Sequence, residues 1–198
     1  MTAAGPAEVD ALFRRREEPV RELAEQAGQV AAACLDMATR FRRGGKLIAF
    51  GCGGASTDAQ HVAVEFVHPV IVGKRALPAI SLTADVATVT GIAERHGTEA
   101  IFAHQIRYLA DPADIALGIS AQPSVLAGLR AAKEKGLLTI ALTGRPGKEQ
   151  IEADHILVAD SYDPRIVKEI QVTTYHILWE LVHVFFEQPG VLAPGVIS

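Results

Sequence analysis

The sequence predicts an α/β fold: a three-layer sandwich with a five-stranded parallel sheet between helices, and extra helices at its N-terminal end. Three observations predict it. Five short apolar runs, at 47–50, 79–82, 114–119, 137–142 and 155–159, show little of the polar alternation of a half-exposed strand and read as strands buried on both faces. Helical segments separate them, the pattern of a parallel sheet covered on both sides. The first run ends in Gly51, Gly53 and Gly54, a glycine-rich turn that delivers a strand directly into a helix.

Each element has its own signal. Residues 6–43 read as helix, with Pro19 starting a second helix or kinking the first. Leu23, Ala27, Val30, Ala31, Cys34, Leu35, Ala38 and Phe41 recur at helical spacing, and Gly44-Gly45 ends the run. Placed before the first strand, this helix has little sheet of its own to cover and is expected to pack on another subunit. A helix over 57–68 follows the glycine turn, with Ser56, Thr57 and Asp58 as candidate caps. Residues 69–78 are irregular. Asp85 caps a helix reaching 93, residues 94–97 break it, and 98–109 forms another. The turn 120–124 leads into a helix over 125–135, stopped by Gly136. A turn at 143–147 precedes the fifth strand, and a long apolar helix spans 164–187. One domain is expected over 1–198, with its core at 46–187 and a loose tail from 188.

Composition narrows the function. The chain has 198 residues, 49% hydrophobic and 21% charged, with a formal net charge of −4. That suffices for one α/β core. Arg14-Arg15-Arg16 runs straight into Glu17-Glu18 and reads as a solvated helix face, not a nucleic-acid stripe. No run of 18 apolar residues and no N-terminal apolar h-region is present, so no membrane span and a cytoplasmic location are expected. Cys34 and Cys52 lie in different contexts, which argues against a disulfide framework. Cys34 reads as a buried helix residue. Cys52 sits in the glycine turn, where a thiol pKa can fall or a small residue simply fits.

The chemistry-bearing residues gather after the first strand. The helix N-terminus there offers free N–H groups and a dipole that attract phosphate. The spacing is neither GxGxxG nor GxxxxGK[ST], which sets aside dinucleotides and nucleotide triphosphates. His61 and Glu65, four apart, share one helix face. An anion cradle beside a His/Glu pair points to a phosphorylated substrate with acid–base or metal chemistry next to it. An ordinary helix pair at 61/65 and a core histidine at 176 are the bland alternatives.

The order GGKLIAFGCGGASTDAQHVAVEF, LPAISLTAD, DIALGIS, AAKEKGLLTIALTG and IVKEIQVTTYHIL resembles the SIS (sugar isomerase) domain family. Within it, the nearest likeness is to the sedoheptulose 7-phosphate isomerases, and it spans about 43–184 together with the leading helices. The resemblance implies a homotetramer with active sites built across subunit boundaries. It also implies a phosphorylated sugar whose proton moves between C1 and C2 through an enediol. Such a reaction needs a base for a C–H beside a carbonyl and a group that shuttles the proton to oxygen. In the resemblance Glu65 is the base and His176 its acid/base partner. His61, Glu65 and His176 also match three of four zinc-ligand positions, which makes zinc (Zn2+) the implied cofactor. The substrate-binding positions it implies are Gly53, Gly54, Ser56, Glu94, Arg95, Ser120, Ser124 and Lys168.

The departures from the family pattern fall on those positions. Cys52 and Ala55 replace an Asn and a Ser of the first turn. The second phosphate loop is SAQPS, shorter than STSGNS, with Pro123 removing an N–H. Glu94-Arg95 replaces an Asn-Asp pair, and Lys168 stands where the fourth zinc ligand is a Gln. Each charge-assisted hydrogen bond lost to a phosphate costs about 1.5–3 kcal/mol, which Arg95 or Lys168 could offset with charge. The alternative reading is therefore a non-catalytic SIS-domain protein that binds a sugar phosphate or a partner protein, as a sensor or assembly factor.

Overall fold

The structure, a computed structural model, describes residues 5–188 and 190–192. β1 (Leu47–Gly51), β2 (Ala79–Ser81), β3 (Ile115–Ile119), β4 (Leu138–Gly144) and β5 (His155–Ala159) form one sheet in the order β2-β1-β3-β4-β5. Every neighbouring pair is parallel; Leu47 lies opposite both Ala79 and Ile115, and Gly51 opposite Ile119.

The pleat explains why the strands carry so few polar residues. Successive side chains alternate between faces. Both faces of the central strands β1, β3 and β4 are dry. The edge strands β2 and β5 are half-buried, contrary to the expectation of burial on both faces, because each has a neighbour on one side only. Leu47, Ala49, Leu117 and Ile140 face a core formed with α2 (Ala27–Arg42), α3 (Gly54–Val67) and α7 (Pro164–Glu187). Ile48, Phe50, Ala116 and Ala141 face a second core under α4 (Val86–His96), α5 (Ala100–Leu109) and α6 (Pro123–Glu134). Asp85 caps α4 as expected, its Oδ1 accepting from Ala87 and Thr88 N–H groups.

The N-terminal helices depart from expectation in two ways. α1 (Pro6–Glu25) runs unbroken through Pro19, whose ring is buried, and the chain breaks instead at Gln26. Pro19 deprives only the carbonyl of the exposed Arg15 of its helical partner. The Gln26 side chain then pairs with the outer edge of the sheet: Nε2 donates to Val158 O at 2.8 Å, and Oε1 accepts from Val158 N–H at 3.0 Å. α2 is not left for another subunit. Val30, Ala33, Cys34, Met37 and Phe41 pack into this chain's own core, because the sheet extends past α3 as far as β5. α1 keeps an uncovered apolar side, at Val9, Leu12, Phe13 and Val20. Arg16 of α1 is no free surface charge but forks onto Glu169 of α7 at 2.6 and 2.8 Å.

β4 extends two residues further than the sequence pattern indicates and passes into a 3₁₀ turn, Arg145–Gln150. Of the tail, Leu192 is buried in the core; residues 189 and 193–198 lie outside the described residues. Among the described residues no helix is long and apolar enough to cross a membrane.

The turn from β1 into α3 is a tight joint. A Cβ on Gly51 would lie 2.8 Å from both Cβ and O of Ala55. Gly51→Ala is expected to destabilise the protein by about 1–3 kcal/mol through overpacking. Gly28→Ala, on an exposed helical site with nothing within 4 Å, is expected to stabilise it by about 0.5–1 kcal/mol. Urea unfolding of the two variants checks both signs.

Candidate active site

The sheet order reverses between β1 and β3, and in open parallel sheets the crevice beyond that switch point is where ligands bind. Two loops meet there. Cys52, after β1, places its Sγ 3.0 Å from Oγ of Ser124, in the first turn of α6. Ser124 is buried, and its hydroxyl is paired with the thiol.

Beyond Cys52, Gly53 takes φ 60°, and α3 begins at Gly54, three residues earlier than the cap residues indicate. Ser56 and Thr57 are consequently inside the helix. Their hydroxyls donate to the carbonyls of Gly53 at 2.6 Å and Gly54 at 2.7 Å, and no side chain caps the free N–H groups. Asp58 is not a cap either. It is buried, and its Oδ2 accepts from Lys168 Nζ at 2.6 Å. The same ammonium donates to Gly54 O at 2.9 Å. Lys168 thus stands over the mouth of the glycine turn, with its charge largely matched by Asp58.

One and two turns further along α3, His61 and Glu65 meet His176 of α7. One ligand atom from each of these three residues lies within 4.8 Å of the others. His61 Nε2 is 3.2 Å from Glu65 Oε1, and the rings of His61 and His176 meet edge-on at 5.1 Å. Glu65 is 8% exposed, His176 half-buried and His61 exposed, so the cluster grades from core to solvent. His176 Nδ1 donates to Val172 O at 2.7 Å. That bond fixes the tautomer and leaves Nε2 with its lone pair toward the cluster. Two imidazole nitrogens and a carboxylate oxygen are a donor set that suits a zinc ion. Lys168, held away on Asp58, supplies no fourth ligand, since an ammonium has no lone pair.

The structure gathers some of the expected residues and separates others. Gly53, Gly54, Ser56 and Lys168 surround the glycine turn. Ser120 and Ser124 lie at the neighbouring loop, and Ser120 adopts φ 95°, a left-handed conformation that non-glycine residues take only under constraint. Glu94 and Arg95 are exposed on a different cleft of about 770 Å³ between β2, α4 and α5, with Ser81, Asp85 and His104; none of His61, Glu65 and His176 lines it.

Two residues of the cluster escape the sequence reading. Asp58 reads as a cap because it follows a glycine turn. Tyr175, inside the long apolar helix, carries no sequence signal of a polar role, yet its hydroxyl is 3.0 Å from His61 Nδ1. Burial, with Asp58 and Glu65 nearby, pushes the Tyr175 hydroxyl up to about 12, so it stays protonated. Their shared signal is spacing: 58, 61 and 65 on one helix and 168, 175 and 176 on the other each form a helical stripe.

The chain belongs to the SIS domain family, whose model matches residues 13–144. It is 39% identical to the phosphoheptose isomerase of Solidesulfovibrio magneticus over 88% of this chain and 87% of that one. Among solved structures it is similar to the phosphoheptose isomerase of Neisseria gonorrhoeae, with TM-score 0.81, 27% identity, and coverage of 89% of this chain and 97% of that one. The phosphoheptose isomerase of Francisella tularensis is equally similar, with TM-score 0.82 and 26% identity, over 90% and 97% of the two chains.

The two thiols should separate cleanly. Cys34 is fully buried and its thiol is pushed up to about 12 by burial, whereas Cys52 is partly exposed. At pH 8 a disulfide reagent is expected to label one thiol of the native protein, Cys52, and two after denaturation. Labelling of Cys34 at the rate of Cys52 in the native state would contradict this packing.

Proposed function

We propose that the protein is a sugar-phosphate aldose–ketose isomerase of the phosphoheptose isomerase type, acting at the cluster of His61, Glu65 and His176. The observation that carries this reading is the convergence of three donor atoms within 4.8 Å, with His176 Nε2 left free by the bond from Nδ1 to Val172. The names of the relatives supply the substrate class, and sedoheptulose 7-phosphate is the substrate to try.

The chain's own groups suffice for the proton movements. The substrate's phosphate would lie between the uncapped start of α3, at Gly53, Gly54 and Ser56, and the loop carrying Ser120 and Ser124. Lys168, paired with Asp58 at the mouth of the turn, has little net charge to add there, so the free N–H groups and the dipole of α3 carry the attraction. Glu65 has one oxygen engaged by His61, and the other is available to take the proton from the carbon beside the carbonyl. His176 Nε2, unprotonated and facing the cluster, accepts and returns a proton at a substrate oxygen. Residues His61, Glu65 and His176 would hold zinc, which when bound draws the negative charge of an enediolate and so lowers the barrier. His176 Nε2 can hold an ion or move a proton, one at a time, so the two roles compete at that atom. Glu94 and Arg95, on their own cleft, fit a site shared across copies of the chain. We accordingly place the protein in the cytoplasm as a homotetramer, as the family resemblance implies.

A second reading, binding without catalysis, is favoured by Cys52 pairing with the Ser124 hydroxyl and by Pro123 at the first position of α6. Incubation with sedoheptulose 7-phosphate, followed by product analysis, decides between them. The isomerase reading expects turnover, and a 10²–10⁴-fold loss of it in His176→Gln. Calorimetric binding of the sugar phosphate with no turnover would establish the second reading instead.

A further inference from the structure

His61 is the most exposed member of the cluster, with 45% of its side chain open to solvent, yet its ring is held from behind. The Tyr175 hydroxyl is 3.0 Å from Nδ1, while Nε2 faces Glu65 Oε1 at 3.2 Å. The two rings meet edge-on at 71°, with centroids 5.5 Å apart. Tyr175 is 1% exposed, so its hydroxyl has a fixed place between α3 and α7. An imidazole ring turns easily about its outer torsion, which has broad, roughly two-fold wells. A half-open ring would therefore sample orientations that point Nε2 away from Glu65.

We propose that Tyr175 is a positioning residue, whose hydroxyl fixes the His61 ring so that Nε2 faces Glu65 and His176. This rests on the reading of His61, Glu65 and His176 as the active cluster. The proton arrangement supports it. A neutral tyrosine hydroxyl donates to Nδ1, which puts the imidazole proton on Nε2, directed at the Glu65 carboxylate. In the other tautomer, with Nε2 bare to bind an ion or accept a proton, Nδ1–H donates to the tyrosine oxygen. The hydroxyl serves both states without the ring turning, because it is both donor and acceptor. Phenylalanine at this position would keep the packing and lose both bonds. Partners behind a ligating histidine are typically worth 10–100-fold in metal affinity.

The test is Tyr175→Phe in the full chain, stripped of metal, with histidine side-chain nitrogens observed by long-range 1H–15N NMR and His61 assigned through His61→Gln. Wild-type protein is expected to show one His61 tautomer, protonated at Nε2. In Tyr175→Phe the two nitrogen shifts should move toward each other as the tautomers mix, with the melting temperature little changed. Zinc affinity, read by competition with a chromophoric chelator, should fall at least tenfold. An unchanged His61 spectrum overturns the proposal, whatever zinc does. If zinc binds neither protein, the metal reading fails while the spectrum of the metal-free protein still decides the role of Tyr175. Should Tyr175→Phe not fold, 13Cζ-labelled tyrosine gives a second readout: the Tyr175 resonance shifts in His61→Gln if the bond exists, and a resonance that stays in place overturns it.

Discussion

Ala55 stands so close to Gly51 that the first β–α joint admits no side chain, and the direction of α3 follows from that contact. Once α3 leaves β1 at that angle, its stripe of Asp58, His61 and Glu65 faces α7. α7 answers in step along its own stripe: Lys168 meets Asp58, Tyr175 meets His61, and His176 completes the cluster. The apolar residues beneath, from Val62 and Phe66 on one helix to Leu178 and Val182 on the other, bury the seam against the sheet. A set of convergent donors thus results from one close backbone approach. Neither helix carries the site alone.

The charge arrangement along the seam has a consequence for binding. Asp58 and Lys168 sit at the mouth of the glycine turn and nearly cancel each other, so the start of α3 attracts an anion mainly through its dipole and free N–H groups. Deeper in, Glu65 has His61 as its hydrogen-bond partner and little solvent. Taking a partner from a buried carboxylate is costly. Asp58 and Glu65 are each paired across or along the seam, and the pairing keeps two carboxylates on one helix face tolerable. Where the resemblance places a fourth metal ligand, the chain places a cation fastened to that same seam. Among the described residues, the donors that could hold a metal are His61, Glu65 and His176.

Much of this was legible in the residues. The five apolar runs located the five strands: burial on both faces leaves the central strands few polar residues, and the half-buried edge strands β2 and β5 stay apolar enough to read the same way. The His61–Glu65 pair was visible from its four-residue spacing. What was hidden depends on distance in sequence. The start of α3 was misplaced because Ser56, Thr57 and Asp58 have the chemistry of caps, while the glycines before them can themselves enter a helix. α2 looked unpartnered because the strands that it covers, β4 and β5, lie about a hundred residues away. Tyr175 carried no local sign of a polar role, since a phenol in an apolar helix reads as core until a partner from another helix is known. The separation of Glu94 and Arg95 from the cluster is likewise a fact of topology, set by α4 lying on the opposite face of the sheet from α3.

The account turns on Glu65 taking a carbon-bound proton at the α3–α7 seam. The most direct measurement is exchange of that proton with solvent: sedoheptulose 7-phosphate equilibrated with the protein in D2O, with deuterium at the carbon beside the carbonyl followed by NMR, for wild type and Glu65→Gln. The account predicts deuterium entry with wild-type protein and its loss by 10²-fold or more in Glu65→Gln that remains folded. Exchange at the wild-type rate in the glutamine variant would contradict it.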